Sequence, residues 1–197
     1  MIIEFTKGSQ HNTIKWSGGT TTELAIYPKE ASYKDRNFLL RISTAKIKTE
    51  ASEFTKLKGI SRKLMILNGE INIEHKNHYS KTLKKFDQDS FEGDWDTKSF
   101  GKAVDFNLMI NGNAKAQIEA KTIQEKKVIT EYYEFTGIYC YQGELKVNLN
   151  DSEFELYGGD FLLIQKDNSN LKIEFLPIVQ SEIIITRITV SLHDCCD

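Results

Sequence analysis

The sequence has little proline, cysteine or histidine, and each shortage excludes a class of structure. Only two prolines occur in 197 residues, Pro28 and Pro177, so no proline-rich linker divides the chain. The three cysteines cannot build a disulfide framework, and such a pattern fits a reducing cytoplasm. We therefore expect a cytoplasmic protein with a buried free thiol at Cys140, and an exposed, mobile tail carrying Cys195 and Cys196.

The chain also lacks a strong net charge and a long apolar run. Its formal net charge of −2 gives no field that would attract nucleic acid or an anionic membrane. No stretch reaches the ~18 apolar residues that a membrane-spanning helix needs. The first residues, MIIEFTKGSQ, lack the basic region and apolar core of a secretory signal. We expect neither nucleic acid nor a membrane among the partners.

No sustained helical stripe of apolar residues is present, but short segments typical of strands are frequent. Ten segments are rich in Ile, Leu, Val, Phe and Tyr, which pack well on a pleated surface. They cover residues 38–45, 63–67, 70–74, 105–110, 138–141, 144–149, 153–156, 161–165, 171–175 and 183–190. At most a turn of helix is expected, near residues 51–57. The pattern predicts an all-β protein with little helix.

An internal repeat predicts two lobes. Residues 67–73 (LNGEINI) align with residues 141–147 (YQGELKV), each an apolar strand, a polar-Gly-Glu turn and an alternating strand. Gly69 and Gly143 suit hairpin turns, since glycine adopts a positive φ without steric strain. We predict a first lobe over residues 1–115 with a candidate pocket. The second lobe, over residues 116–197, is expected to be mainly structural, and the N-terminal strands are candidates for swapping into it.

Several segments carry more specific patterns than a generic β-protein needs. They are residues 16–28 (WSGGTTTELAIYP), 40–45 (LRISTA), 52–62 (SEFTKLKGISR), 91–97 (FEGDWDT) and 105–109 (DFNLM). In this order and spacing they resemble the signatures of the HutD/Ves family. Three positions depart from the family pattern: Leu40 replaces an aromatic residue, Lys58 a turn proline and Ser61 an acidic residue.

The resemblance implies a fold more strongly than a function. Members of the family are cytoplasmic proteins with two cupin-type double-stranded β-helix barrels in one chain (bicupins). Some are linked to histidine catabolism and others to stress responses, and no catalytic activity is firmly attached to the group.

The supply of histidine is too small for a usual cupin metal site. Such a site needs His-x-His on one strand and a glutamate nearby. The usual cupin spacing places Arg62 at the glutamate position and residues 55–58 at the His-x-His positions. His75 and His78 are expected in an exposed hairpin loop. We therefore expect no metal and no cofactor.

Two arginines are the main candidates for binding a ligand. Arg41 and Arg62 lie in apolar strands, where a guanidinium either forms an internal salt bridge or offers a planar fork to a carboxylate. Glu23 and Asp105 are the expected internal partners. Because Arg62 stands where a metal ligand would be, it is the stronger candidate.

Five further residues are candidate contacts. Thr20, Thr21 and Ser43 could supply hydroxyl groups and Asn107 an amide; turn capping and sheet-edge hydrogen bonds are equally good explanations for them. Trp16 is expected either to form a wall of the pocket or to plug the barrel.

Three functions remain open. The first is a metal-free binding or regulatory protein for a small carboxylic acid, linked to amino-acid catabolism or stress. The second is a metal-free isomerase or hydrolase that uses Glu23 or Asp105 as acid and base. The third is a protein-interaction module. A homodimer through sheet edges is plausible in each case.

Overall fold

β-strands make up most of the protein. We analysed a computed structural model, which describes residues 1–112, 114–150, 152–167 and 170–190. The helical content of these residues is one 3-10 turn, Gly8–Gln10, and none of their helices is long and apolar enough to cross a membrane. The prediction of an all-β protein with little helix is confirmed. Cys195 and Cys196 lie outside the described residues.

Nineteen strands occur in the described part of the chain. The first eleven are β1 (Ile2–Thr6), β2 (Asn12–Trp16), β3 (Gly19–Tyr27), β4 (Leu40–Ile47), β5 (Ala51–Glu53), β6 (Ile60–Gly69), β7 (Ile71–His75), β8 (Tyr79–Leu83), β9 (Gln88–Glu92), β10 (Thr97–Phe100) and β11 (Ala103–Asn111). The others are β12 (Lys115–Ile123), β13 (Lys127–Glu131), β14 (Phe135–Gln142), β15 (Glu144–Leu149), β16 (Ser152–Tyr157), β17 (Phe161–Gln165), β18 (Leu171–Pro177) and β19 (Ser181–Thr189). The turn of helix expected near residues 51–57 is wrong, because Ala51–Glu53 pairs with β10 as a strand.

The chain divides into two compact units, of which one is residues 12–112. This unit has a six-stranded sheet of order β2-β3-β4-β11-β6-β9 and a four-stranded sheet of order β5-β10-β7-β8. Apolar side chains from both sheets form its core, including Leu64 and Ile66 of β6 and Ile71 and Ile73 of β7. Alternation along β7 sends Ile71 and Ile73 inward and Asn72 and Glu74 outward, whereas Met65 and Leu67, the neighbours of Ile66 on β6, are buried as well.

The other unit consists of residues 1–11 and those after 112. It has a five-stranded sheet of order β1-β17-β14-β19-β12 and a four-stranded sheet of order β13-β18-β15-β16. Here β1 pairs with β17 at the sheet edge. Its hydrophobic core includes Ile138, Leu162, Phe175 and Ile185.

The strand order of β4 to β11 is repeated by β12 to β19. In both sets the first, eighth, third and sixth strands lie side by side in one sheet, and the second, seventh, fourth and fifth lie in another. Gly69 and Gly143 occupy the same place in the two sets, with φ values of 85° and 101°. They are not hairpin turns as predicted, because β6 and β7, like β14 and β15, belong to different sheets. The positive φ at each glycine instead turns the chain from one sheet into the other.

The four sheets remain open. In none of them does the first strand hydrogen-bond to the last within the described residues. The expectation of closed barrels is therefore not met: each unit pairs two open sheets around its apolar core.

Candidate functional site

A cavity of about 400 Å³ lies in the unit of residues 12–112. Strand alternation explains most of its lining, since every second residue of a strand points to the same face of a sheet. The lining residues from the six-stranded sheet are Ile14, Trp16, Thr21, Arg41, Ser43, Ala45, Ile47, Arg62, Asp105, Asn107 and Met109. The remaining lining residues are Tyr33 and the segment 52–55. The polar groups of the cavity therefore stand on a regular, hydrogen-bonded scaffold.

The register of the three central strands arranges these residues in rows. Because β4 and β6 both pair with β11, each row holds one residue from each strand. The rows are Arg41, Met109 and Arg62; then Ser43, Asn107 and Leu64; then Ala45, Asp105 and Ile66. We call the face of β4, β11 and β6 that carries these rows the floor of the cavity. The cationic side chains of Arg41 and Arg62 lie at one end of this floor, and the carboxyl of Asp105 lies at the other.

Arg41 has an ion-pair partner and a second hydrogen bond within the unit. Its Nε donates to Glu23 Oε2 at 2.7 Å and its Nη1 donates to Ser43 Oγ at 3.3 Å. Its guanidinium carbon lies 4.5 Å from the centre of the Tyr33 ring. The expected internal salt bridge with Glu23 is present, and Arg41 therefore shapes the cavity with its charge already balanced.

Arg62 is equally buried but has no ion-pair partner in the part of the chain that the structure describes. Its guanidinium carbon lies 4.6 Å from the Phe54 ring centre and 5.3 Å from that of Phe91. Its Nε has no hydrogen-bond partner among the described residues. Burial lowers the pKa of Arg62 to about 10, so the side chain stays charged at neutral pH. A buried cation with a free donor is energetically unfavourable unless another group binds there.

Asp105 and Asn107 add two acceptors to the same floor. Their Oδ1 atoms are buried and, like Arg62 Nε, lack a hydrogen-bond partner in the described residues. Burial raises the pKa of Asp105 to about 7, against the opposing effects of the Arg62 charge and a hydrogen bond with the Ala45 backbone. The cavity therefore combines one unpartnered donor with two unpartnered acceptors.

Trp16 stands at the edge of the cavity. Its side chain lines the cavity, stays 38% exposed, and donates from Nε1 to Thr21 Oγ1 at 3.2 Å. Ile14, two residues earlier, is also exposed and lines the cavity. The expectation that Trp16 forms a wall fits this position, and the alternative of a plug is wrong.

Seven of the nine predicted contact residues line the cavity. They are Trp16, Thr21, Arg41, Ser43, Arg62, Asp105 and Asn107. Thr20 and Glu23 do not: Thr20 is the alternate neighbour of Thr21 on β3, and Glu23 acts through Arg41. The sequence prediction missed Tyr33 and Phe54. Phe54 lies in the 52–62 motif and could have been found there, whereas Tyr33 lies outside every strand and gives no local signal.

His75 was assigned wrongly to an exposed loop. It is the last residue of β7, is 2% exposed, and bonds Asp89 Oδ2 through Nε2 and Thr97 Oγ1 through Nδ1, both at 2.8 Å. Tyr79 donates from its hydroxyl to Asp89 Oδ1 at 3.0 Å. His78 is exposed and stacks on Trp95 at 3.7 Å between ring centres. Both ring nitrogens of His75 are thus used within the fold.

Metal ligands do not gather in the part of the chain that the structure describes. No group of three His, Cys, Asp or Glu side chains there is arranged to hold an ion. Cys140 is a buried thiol, and burial raises its pKa to about 12.

The other unit carries different residues at the equivalent strand positions. By register, Ile183 and Ile185 of β19 correspond to Asp105 and Asn107 of β11, and Thr136 corresponds to Arg62. Arg187 of this unit is a partly buried cation, and it pairs with Glu119 and Glu131 at 2.7 Å each. An unpartnered cation with facing acceptors is therefore a feature of the 12–112 unit.

Comparisons with known proteins give the family and the fold. The family model HutD matches residues 8–179. A curated relative, Protein Ves of Escherichia fergusonii, is 32% identical over 112 residues, which are 53% of this chain. The match spans 56% of the length of that relative.

Solved structures agree with this result. A conserved protein of unknown function from Pseudomonas aeruginosa PAO1 superposes with a TM-score of 0.86 at 16% identity, covering 96% of this chain and 100% of that one. HutD from Pseudomonas fluorescens SBW25 superposes with a TM-score of 0.74 at 18% identity, covering 95% of this chain and 98% of that one. A cupin 2 conserved barrel domain protein from Leptotrichia buccalis superposes with a TM-score of 0.60 at 10% identity, covering 94% of this chain and 96% of that one. These likenesses show a cupin-like fold.

Proposed function

The chain belongs to the HutD family, and we propose that it is a binding protein for small carboxylic acids that needs no metal. The single observation that carries the proposal is the buried guanidinium of Arg62, which faces the cavity with its Nε unpartnered among the described residues. A carboxylate is the natural complement of such a group, since it accepts two parallel hydrogen bonds from a guanidinium and balances its charge.

The surroundings of Arg62 favour an anion over water. The rings of Phe54 and Phe91 lie against the guanidinium, so less water reaches it. In an environment of low polarity an ion pair is stronger than in bulk solvent. The pKa of about 10 keeps Arg62 positively charged at neutral pH.

Arg41 has a supporting role in this proposal. Glu23 already neutralises it, and Ser43 takes a further hydrogen bond. A ligand carboxylate that approached Arg41 would have to compete with Glu23 at 2.7 Å. Arg62 offers its charge without that competition, so the acid is assigned to Arg62.

We also infer that each unit is one cupin lobe, which makes the chain a bicupin. The repeated strand order of β4 to β11 and β12 to β19 supports this inference. The family resemblance further suggests that the ligand arises in the breakdown of histidine or another amino acid. The polar floor of one unit and the isoleucines of the other suggest that a single lobe binds it.

The test is a thermal-unfolding screen of the full chain with sodium formate, acetate, propionate and butyrate, with sodium chloride at equal ionic strength as reference. Formate is included because the similar HutD structure comes from a formate condition. A ligand that binds only the native state adds about 2.7 kcal/mol at a hundred times its Kd. We expect a saturable rise in Tm with at least one acid and none with chloride.

Variants connect the response to Arg62. Arg62→Ala should abolish the rise in Tm, and Arg62→Lys should weaken it because an ammonium lacks the planar fork. Lys63→Ala is the matched control, since Lys63 is the next cation on β6, is directed to Ser90 and is not among the cavity-lining residues. If no carboxylic acid, amino acids included, raises Tm, or if the acids raise it equally in Arg62→Ala, the proposal is wrong. The same screen run with divalent metal chlorides is the alternative arm: a rise in Tm with metals alone would replace the proposal with a metal-binding function.

A second candidate function has one specific observation in its favour. Asp105 lies in the cavity with a pKa raised to about 7 by burial, near the value that suits a general acid or base. Glu23, the other carboxylate considered, is paired with Arg41. A metal-free isomerase or hydrolase would therefore use Asp105. Turnover of a ligand found in the screen, lost in Asp105→Asn while binding remains, would support it.

A further inference from the structure

The floor of the cavity contains more hydrogen-bonding groups than a carboxylate ligand alone would use. Arg62, Asp105 and Asn107 are 5%, 3% and 7% exposed, and all three line the cavity. Each has one buried polar atom without a hydrogen-bond partner among the described residues: Arg62 Nε, Asp105 Oδ1 and Asn107 Oδ1. Five other buried side-chain atoms in the described residues also lack a partner, but these three lie on one cavity wall and therefore call for a common explanation.

The three groups lie in order along the sheet. Arg62 is in the row of Met109, Asn107 is one row further along β11, and Asp105 is one row beyond Asn107. Successive rows are about 7 Å apart, because each spans two residues of a strand. These three groups form a line that we call the polar track. The donor, Arg62, is at one end of it, Asn107 is next, and Asp105 is at the other end.

A plain alkyl acid would satisfy only one end of this track. Its carboxylate can accept from Arg62, but its methyl or methylene groups cannot donate to Asp105 Oδ1 or Asn107 Oδ1. Those acceptors would lose access to water and gain no partner, which is unfavourable for each of them. A ligand with hydrogen-bond donors at its other end would satisfy them.

The net charge of the cavity indicates whether the donor group of the ligand is neutral or positively charged. Glu23 balances Arg41, and Lys98 balances the lining residue Glu53. Arg62 and ionised Asp105 therefore leave the cavity close to neutral. A singly charged acid would then add an excess negative charge near a buried carboxyl. A ligand that carries its own positive charge would not.

We propose that the ligand is a zwitterionic amino acid, whose carboxylate is held by Arg62 and whose ammonium group donates to Asp105 and Asn107. The inference deepens the proposed function and rests on it. It makes Asp105 and Asn107 the residues that determine specificity, and it assigns their unsatisfied oxygens to one group of the ligand.

The test is calorimetric titration of the full chain with matched pairs that differ in one terminal group. The pairs are glycine and propionate, β-alanine and butyrate, and γ-aminobutyrate and pentanoate, each with an ammonium replaced by a methyl. At about pH 8 a carboxyl with a pKa of about 7 is mostly ionised. In at least one pair we expect the amino member to bind about tenfold more tightly or better, the effect of one charge-assisted hydrogen bond.

Variants of the two acceptors identify the cause. Asp105→Asn should reduce the preference for the amino member to within about threefold, because the hydrogen-bonding shape remains and the charge is lost. Asn107→Leu, which retains the Asp105 charge, should reduce it by a smaller factor. Arg62→Ala should abolish binding of both members.

The outcomes separate the two proposals. If neither member of any pair binds, the proposed function itself fails. If the alkyl acids bind as tightly as their amino partners, the carboxylate site stands and the zwitterion is wrong. Tighter binding of glycolate than glycine, or an amino preference unchanged in Asp105→Asn, would also overturn the zwitterion.

Discussion

Arg41 and Arg62 lie in the same row of the sheet, on strands β4 and β6 on either side of β11, yet within the described chain only Arg41 pairs with a carboxylate. Both side chains are 5% exposed. The two arginines therefore differ in role. Arg41 and Glu23 form an ion pair of the scaffold, whereas the guanidinium of Arg62 faces the cavity with Nε unpartnered among the described residues. This division leads to predictions about stability as well as binding.

Removing the charge of Glu23 should destabilise the fold. In Glu23→Gln the buried Arg41 loses its ion-pair partner, and we expect the free energy of unfolding to fall by about 1–3 kcal/mol at neutral pH. Urea denaturation measures the change. Glu50→Gln is the control, because its ion pair with Lys102 is on the surface and exposed pairs contribute little. Equal losses in the two variants would contradict the scaffold role of Arg41.

Asp105 should make stability fall as pH rises. Its pKa is raised from 3.8 to about 7 in the folded state, so the folded protein binds this proton more tightly than the unfolded chain does. The contribution of the neutral form is fully present below the unfolded pKa and is lost as pH rises through about 7. The change corresponds to about 1.4 kcal/mol per pKa unit, a few kcal/mol in all.

The measurement compares urea denaturation of the wild type and Asp105→Asn across pH 4–8. Other titrating groups affect both proteins, so the difference isolates Asp105. Asp105→Asn should gain stability relative to the wild type as pH increases. A difference that is constant with pH would show that Asp105 titrates normally.

The buried His75 should contribute far more to stability than its exposed neighbour His78. His75→Ala removes hydrogen bonds to Asp89 and Thr97 at 2.8 Å each and leaves the buried Asp89 carboxyl short of a partner. We expect a loss of about 2–4 kcal/mol in chemical denaturation. His78→Ala removes a stacking contact with Trp95 at the surface and should have a smaller effect. A larger loss of stability in His78→Ala than in His75→Ala would instead favour the exposed-loop position that the sequence predicts for His75.

Gly137 should not accept a side chain. A Cβ at this position in β14 would collide with Thr186 Oγ1 and lie 2.9 Å from the Phe161 ring. Gly137→Ala should therefore destabilise the protein by about 1–3 kcal/mol, as overpacking of a core does. Gly158→Ala is the matched control, since the nearest atom there is at 3.5 Å. Similar melting temperatures for the two variants would show that β14 and β19 can separate to make room.

Much of the fold could be predicted because the signals are local. The ten predicted strands all fall on observed ones, and the alternation of apolar residues that predicted them depends only on neighbours in sequence. The other nine strands, β1, β2, β3, β5, β8, β9, β10, β12 and β13, were not among those predicted. Most of them are short or polar, and pairing with other strands, not composition, makes them extended.

The candidate site was predicted in part. Arg62, Asp105 and Asn107 could be selected because a charged or amide group in an apolar strand is unusual. Their division of roles could not be predicted. Arg41 meets Glu23 because β3 pairs with β4 and an irregularity lies between Glu23 and Ala25. Such a register shift changes which side chains face each other and has no reliable local signature.

By itself, the sequence determined the fold class, the repeated strand pattern and seven of the residues that line the cavity, because each depends on local alternation or on the chemistry of single side chains. Only the tertiary structure decided that His75 is buried, that Gly69 and Gly143 turn the chain between sheets, and that Arg41 is paired while Arg62 is not. These outcomes depend on which distant strands meet and in what register. That choice is made by packing over the whole unit and is not encoded at any one position.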